Sequence, residues 1–366
     1  MSKIEEIIEQ IQTVLKLGPV EVVGIDIGQS AVRVAEVSIG KKGNLKLEKF
    51  AYKFLPEGCL IEDEILQPDE VVNAINECFA KTGIKNKQIC IGLSGPNTMS
   101  KRLQVADGTD EEITDQVTWE SEQYIPFGAE ESILSHSVLD KNPGGGVDVM
   151  VAAAKKDIID GYGTLIKSAN LKLKIVDLDL FALANIFEAL YEDKIKKEKD
   201  GILVIDFGAQ KTNILIFHKG TVVFTREMSI GGVVITEEVQ RQMSLSYNEA
   251  EDLKISGDES GNIPEEIAEI IKVNLENFLA EIKKTLTFFM TAANDVTLGS
   301  CYITGGASLT PGFLEGLEST VGVPIVQINP FERMSYNEKD FDEIELNYVA
   351  ACGCIALGLA IRRLRK

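Results

Sequence analysis

Apolar residues recur along this 366-residue chain in distinct rhythms, and each rhythm predicts an element. At the start, Ile4, Ile7, Ile8, Ile11 and Leu15 keep helical spacing until Gly18-Pro19 stops it. The polar face of that helix carries Glu5, Glu6 and Glu9. A membrane-surface helix would carry Lys and Arg there, so packing on its own body or on a protein partner is expected. From Val22 to Val37 two apolar runs meet at Asp26-Ile27-Gly28-Gln29-Ser30, which predicts a β-hairpin with a carboxylate, a glycine and a hydroxyl at its tip. A third strand is expected over 45–55. A helix follows over 68–82, with Val71, Val72, Ile75 and Phe79 inward and Gly83 just past its end. The strand 88–93 completes an α/β unit.

Between about Ser94 and Asn170 the texture changes. Thr109-Asp110-Glu111-Glu112 is a capping box that starts a helix through Ile113, Val117 and Tyr124. Strands are expected over 133–139 and 147–154, and a second helix over 155–169 with Ile158, Ile159, Tyr162, Leu165 and Ile166 on one face. This block is expected to be a small α+β insert in the first domain, jointed at Ser94-Gly95-Pro96 and Ser168-Ala169-Asn170. The sheet resumes at 171–177, and a small-residue helix follows over 180–191. The charged run 192–200 is expected to be a solvated loop.

The second half repeats the first. Ile202–Phe217 again joins two apolar runs through an Asp-x-Gly tip, with Asp206 and Gly208 standing 180 residues after Asp26 and Gly28. A strand over 221–229 and helices near 234–243, 247–254 and 264–294 follow. The strand 301–304 ends in Gly305-Gly306-Ala307-Ser308. A closing helix over 347–364 carries Ala350, Ala351, Gly353, Ala356, Gly358 and Ala360, small enough for another helix to approach closely.

Composition narrows the class. A hydrophobic share of 45% supports a packed core. A formal charge of −20 disfavours nucleic acid or an anionic lipid surface as main partner, though one local site can still hold a nucleotide. The acidic start lacks the features of a signal peptide, and no apolar run approaches the roughly 18–20 residues of a membrane span, so a soluble cytosolic chain is expected. The six cysteines show neither Cys-x-x-Cys spacing nor nearby His and are expected to be reduced and mostly buried. His136 and His218 are the only histidines and sit in no nucleophile or metal motif; a Gly-x-x-x-x-Gly-Lys-Ser/Thr loop is also missing.

Three glycine turns after apolar strands therefore carry the chemistry. Turns with exposed N–H groups cradle phosphate, and a carboxylate beside them holds Mg2+ through water. Their order resembles the actin-like ATPase superfamily. The resemblance implies an α/β fold: an actin-like, ribonuclease-H-like two-domain ATPase fold with a small α+β (SHS2-type) insert in the first domain. It also implies that Asp26, Gly28, Gln29 and Ser30, then Asp206, Gly208, Ala209, Gln210, Lys211 and Thr212, grip the phosphates of ATP. Asp26 and Asp206 would hold Mg2+ through water, and Gly305, Gly306 and Ala307 would receive the adenosine. Glu251 and Lys254 resemble the family's ribose- and adenine-reaching pair, with a surface ion pair one turn apart as the alternative. In Val176–Ala184, Asp179 stands where hydrolytic relatives have a water-positioning Glu, and Leu180 where they have Pro. Aspartate is one methylene shorter, so at most slow hydrolysis is expected.

The order of motifs, with Trp119-Glu120-Ser121-Glu122-Gln123-Tyr124-Ile125-Pro126-Phe127 in the insert, resembles the PilM family of type IV pilus assembly proteins. That resemblance implies a division into 1–93, 94–170 (insert), 171–199, 200–232, 233–295, 296–340 and 341–366. Its implied partner is the cytoplasmic N-terminal peptide of the inner-membrane protein PilN, held in a groove between the first domain and the insert. Other pilus-machine proteins and self-association are further implied contacts, and no lipid anchor is expected. Trp119 and Tyr124 are the groove candidates, with plain core packing as their alternative. The rival readings are an FtsA- or MreB-like filament protein and a small-metabolite kinase, for which the sequence offers no convincing catalytic aspartate beyond Asp177.

Overall fold

A computed structural model of the chain describes residues 21–363 except 41–42, 62–63, 143–144, 259 and 294–295. The expected helix over Ile4–Leu15 and the last three residues lie outside the described residues. Strands β1 (Val23–Ile27), β2 (Ala31–Ile39) and β3 (Leu45–Phe54) form an antiparallel meander. The short pair β4 (Leu60–Ile61) and β5 (Glu64–Ile65) leads into α1 (Pro68–Thr82), and β6 (Gln88–Leu93) returns parallel to β1. The next four elements are β7 (Thr98–Val105), α2 (Asp110–Glu122), β8 (Ser132–Lys141) and β9 (Val147–Lys155). They build a separate three-stranded antiparallel sheet, ordered β7-β9-β8, under one helix. The chain then forms α3 (Lys156–Ser168) and β10 (Lys172–Leu178), which adds parallel to β6.

Helix α4 (Asp179–Lys197) leads into the second half, where β11 (Gly201–Phe207), β12 (Thr212–His218) and β13 (Thr221–Met228) repeat the meander. Three helices follow: α5 (Val233–Met243), α6 (Tyr247–Ser256) and α7 (Glu265–Ala292). Strand β14 (Leu298–Thr304), α8 (Phe313–Val321) and β15 (Ile325–Gln327) complete the second sheet, ordered β13-β12-β11-β14-β15. The first sheet runs β10-β6-β1-β2-β3, the same plan of three antiparallel strands flanked by two parallel ones. β16 (Met334–Tyr336) then returns to its β3 edge, before α9 (Glu343–Cys352) and α10 (Cys354–Ala360).

The strands read as continuous apolar runs because both faces are covered. On β11, Leu203, Ile205 and Phe207 face a core shared with α5 and α7, while Ile202 and Val204 face α4 and α10. On β2, Val32 and Val34 face α1, while Ala35 and Val37 face the same central layer. Helices α4 and α10 therefore lie between the two sheets. Their closeness requires the small residues seen in the sequence. A Cβ on Gly358 would meet the Ala182 carbonyl oxygen at 2.0 Å, and one on Gly24 would meet that of Ala356 at 2.2 Å.

Several expectations need correction. The closing helix is two helices bent by 83° at Gly353, where a Cβ would meet the Val349 carbonyl at 2.5 Å. The charged run 192–200 is mostly helix, not loop: α4 continues to Lys197, anchored by buried Ile195. Strand β7 falls where no strand was expected. Apart from these corrections, residues of the segment 94–170 contribute to two cores. Val105, Ile113, Val117, Val147, Val149 and Val151 form a small core of their own, whereas Tyr162, Leu165 and Ile166 of α3 pack with α1. Among the described residues no single helix is long and apolar enough to cross a membrane.

Candidate functional site: a cleft between two matched hairpins

The two hairpin tips are the same turn made twice. Gly28 N donates to Ala31 O at 3.1 Å, and Gly208 N donates to Lys211 O at 2.9 Å. Each turn follows a strand that carries an aspartate, and both aspartates line one cavity of about 610 Å³ at the tips of β1 and β11. Asp26 and Asp206 are each only 9% exposed. Opposite Asp26 in the β1–β2 register stands Arg33, whose Nη1 donates to Asp26 Oδ2 at 3.0 Å. The same guanidinium reaches Tyr348 OH on α9 at 3.1 Å and Ser30 Oγ at 3.4 Å. Opposite Asp206 stands Asn213, whose Nδ2 donates to Asp206 Oδ2 at 3.2 Å.

Electrostatics separate the two carboxylates. Burial pushes Asp206 up to about 6; the amide of Asn213 opposes that and the nearby charge of Asp26 adds to it. Burial also raises Asp26, against the pull of Arg33. The cavity thus holds two buried carboxylates, Asp206 hydrogen-bonded by a neutral amide and Asp26 by a guanidinium.

The opposite wall is made by α5, α6 and the loop after β14. Lys254 is 6% exposed, and its Nζ donates to Thr236 Oγ1 at 2.8 Å and Glu251 Oε2 at 2.6 Å. Thr236 Oγ1 also bonds Glu251 Oε2, so the carboxylate is fixed from two sides. Gly305 adopts φ +95, and a Cβ there would meet the Phe207 carbonyl at 2.3 Å, so only glycine lets this loop approach β11. Phe54, Tyr247, Ile255, Leu309 and Pro311 add apolar lining. Backbone turns and cations beside carboxylates suit a phosphate chain with a divalent ion, and apolar lining next to Glu251 suits a nucleoside.

Of the sequence candidates, Asp26, Gly28, Gln29, Ser30, Asp206, Gly208, Ala209, Gln210, Lys211, Glu251, Lys254, Gly305, Gly306 and Ala307 all line this cavity. So does Asp179 at the start of α4, whose Oδ1 lies where a Cβ on Gly92 would come within 1.9 Å. Thr212 does not: it is fully buried, and its hydroxyl donates to Ile230 O at 2.6 Å. Asp177 is outside the lining, with Arg362 Nε 2.7 Å from its Oδ2. Trp119 and Tyr124 sit on α2 and just past its end, away from the cavity. Trp119 is 70% exposed, so it is no core residue, and Tyr124 lies under Lys101 Nζ, 3.1 Å from the ring centroid. Sequence reasoning missed Arg33, Asn213, Ser94, Gly232 and Tyr348. Arg33 and Asn213 were within reach, since they too are 180 residues apart and follow from cross-strand register. Among the described residues no group of three or more His, Cys, Asp or Glu could hold a metal unaided, which leaves water and ligand oxygens to complete any coordination around Asp206.

Two sheets of one plan, with matched Asp–Gly hairpins facing one cavity, define an actin-like ATPase fold. Residues 24–364 match the family described as type IV pilus assembly protein PilM, and the chain belongs to that family. It is similar to the structure of a PilM–PilN type IV pilus biogenesis complex, at 28% identity and a TM-score of 0.82, over 95% of this chain and 100% of that one. It is also 25% identical over 357 residues to the cell division protein FtsA of Enterococcus hirae, covering 83% of this chain and 77% of FtsA. The ethanolamine utilization protein EutJ of Carboxydothermus hydrogenoformans matches 93% of this chain and 90% of its own at 16% identity and a TM-score of 0.51, a likeness of fold alone.

Proposed function

We propose that this chain binds ATP with Mg2+ in the hairpin cavity and works in type IV pilus assembly by capturing the cytoplasmic N-terminal peptide of a PilN-type inner-membrane protein. The observation that carries the reading is the convergence of both Asp–Gly turns, the Glu251–Lys254 pair and the Gly305-Gly306 loop on a single cavity. In it, Arg33, Lys211 and the turn N–H groups would face the phosphates. Asp206 and Asp26 would hold Mg2+ through water, and Glu251 and Lys254 would stand beside the nucleoside. Bound Mg2+ would supply the positive charge that lets phosphates and two carboxylates share the cleft. Asp179 would hold a water, and its short reach supports slow hydrolysis at most.

The partner reading is supported by the likeness to a PilM–PilN complex and by the exposed Trp119 on α2. The division at 94 and 170, with an SHS2-type insert, and a position at the cytoplasmic face of the inner membrane belong to the same proposal. Calorimetry with Mg-ATP tests the site: wild type binds, and Asp26→Ala with Asp206→Ala abolishes binding. Unchanged binding in the double variant, or none in wild type, overturns it. Titration with a PilN N-terminal peptide tests the partner, and no binding at high micromolar peptide overturns that part.

A further inference from the structure

The joint between the first sheet and the three-stranded unit is held from the far side of the cleft. Ser94, next after β6, is buried and lines the cavity, and Lys211 Nζ of the second hairpin tip donates to its Oγ at 2.9 Å. The next residue, Gly95, adopts φ +80, and its N–H donates to Glu227 Oε1 on β13 at 2.7 Å. Further along, Ser100 Oγ on β7 lies 3.3 Å from Thr225 Oγ1 on the same strand as Glu227. Thus one contact to the joint comes from the cavity and two come from the edge of the second sheet.

We propose that the Lys211–Ser94 contact is a ligand-sensitive clamp, by which phosphate in the cavity frees the three-stranded unit; this rests on the ATP-binding reading above. An ammonium holds a neutral hydroxyl less tightly than it holds a phosphate oxygen. A phosphate chain between the hairpin tips would therefore draw Lys211 away from Ser94. The joint would then keep its Glu227 and Thr225 contacts but lose the one that reports on the cavity. Because Gly95 sits in a left-handed conformation open to glycine, the segment can reorient there at low backbone cost. What happens between the phosphate-binding turns is thereby passed to the unit that carries Trp119.

Hydrogen exchange of residues 94–101, with ATP binding followed in parallel by calorimetry, tests this in wild type, Ser94→Ala and Glu227→Ala. In wild type, saturating Mg-ATP raises exchange at the joint about tenfold, the size expected for losing a hydrogen bond from a charged donor. Ser94→Ala exchanges faster without nucleotide and responds to it less than about twofold. Glu227→Ala, which breaks the other clamp outside the cavity lining, exchanges faster but keeps its response to ATP. Wild-type protein that binds ATP with unchanged or slower exchange at the joint overturns the clamp alone. A Ser94→Ala variant that responds like wild type does the same, and absence of ATP binding overturns the ATP-binding reading and the clamp together.

Discussion

The first and second hairpins share a backbone and differ in charge. Asp26 and Asp206 occupy equivalent strand ends, and the glycine two residues on closes the same turn in both. Across the ladder from Asp26 stands Arg33, and across from Asp206 stands Asn213. One substitution at an equivalent position thus gives the first aspartate a guanidinium in contact and the second a neutral amide. Register alone decides which side chain faces each aspartate, so a duplicated fold becomes an asymmetric site without any change of shape. The second tip is where an incoming cation has most to gain.

The largest expected consequence is in stability. Arg33→Met leaves Asp26 buried without its counter-charge and removes the Tyr348 and Ser30 contacts. A loss of about 3 kcal/mol is expected, as for other broken buried pairs. The equivalent change on the second hairpin, Asn213→Leu, removes one amide hydrogen bond and should cost about 1 kcal/mol. Urea unfolding of both variants checks the ratio, and equal losses would remove the asymmetry.

Next is a pH effect at the second tip. The pKa of Asp206 in the folded protein is raised to about 6, above the ordinary aspartate value of 3.8. Folding therefore favours its protonated form. The stability it contributes is fully present below about pH 4 and is lost as pH rises through about 6. A rise of that size corresponds to about 2–3 kcal/mol between pH 4 and 8. Asp206→Asn should flatten that part of the profile and stabilise the ligand-free protein near pH 7.5 by about 2 kcal/mol. Denaturant midpoints of wild type and variant at pH 5 and 7.5 decide it; a gain equal at both values would place the titration elsewhere.

A smaller effect should appear in metal dependence. If Asp206 carries most of the cation contact, Asp206→Asn lowers the Mg2+-dependent part of ATP affinity about tenfold, and Asp26→Asn by only about twofold to threefold, since Arg33 already shares the latter's charge. Calorimetry with and without Mg2+ separates the two, and the reverse ranking breaks the comparison.

How much of this was legible in the sequence follows from how each feature is encoded. The hairpins were legible because strands covered on both faces leave unbroken apolar runs, and their Asp–Gly tips repeat at a fixed interval. The crossing of α4 and α10 was legible in Ala182, Gly358 and Ala360, because only small residues permit that approach. The run 192–197 was not, since a single buried Ile195 anchors a turn otherwise made of charge. The bend at Gly353 was hidden by small residues continuing on both sides of it. β15 and β16 span three residues each and are strands only because a sheet edge receives them. Thr212 misled by its place in the loop, since strand alternation turns its hydroxyl towards Ile230. Arg33 and Asn213 lay in plain view one strand beyond the tips, but their meaning depends on pairing rather than on composition.

The smallest predicted difference lies in the turns themselves. Ser30 and Gln210 hold equivalent places, and both line the cavity. Ser30 Oγ receives only a long 3.4 Å contact from Arg33, which is already fixed by Asp26 and Tyr348. Ser30→Ala should therefore cost no more than about 0.5 kcal/mol, because an acceptor at that distance adds little to a guanidinium with two better partners. Gln210→Ala should be neutral within about 0.5 kcal/mol as well, since it is a turn residue outside the core. Both substitutions should still lower ATP affinity by a fewfold, because both side chains line the cavity proposed for the nucleotide. Thermal unfolding beside calorimetry checks this. If Ser30→Ala instead destabilises as much as Arg33→Met, the first tip is a mutually dependent network, and the difference between the hairpins lies in cooperativity rather than in one charge.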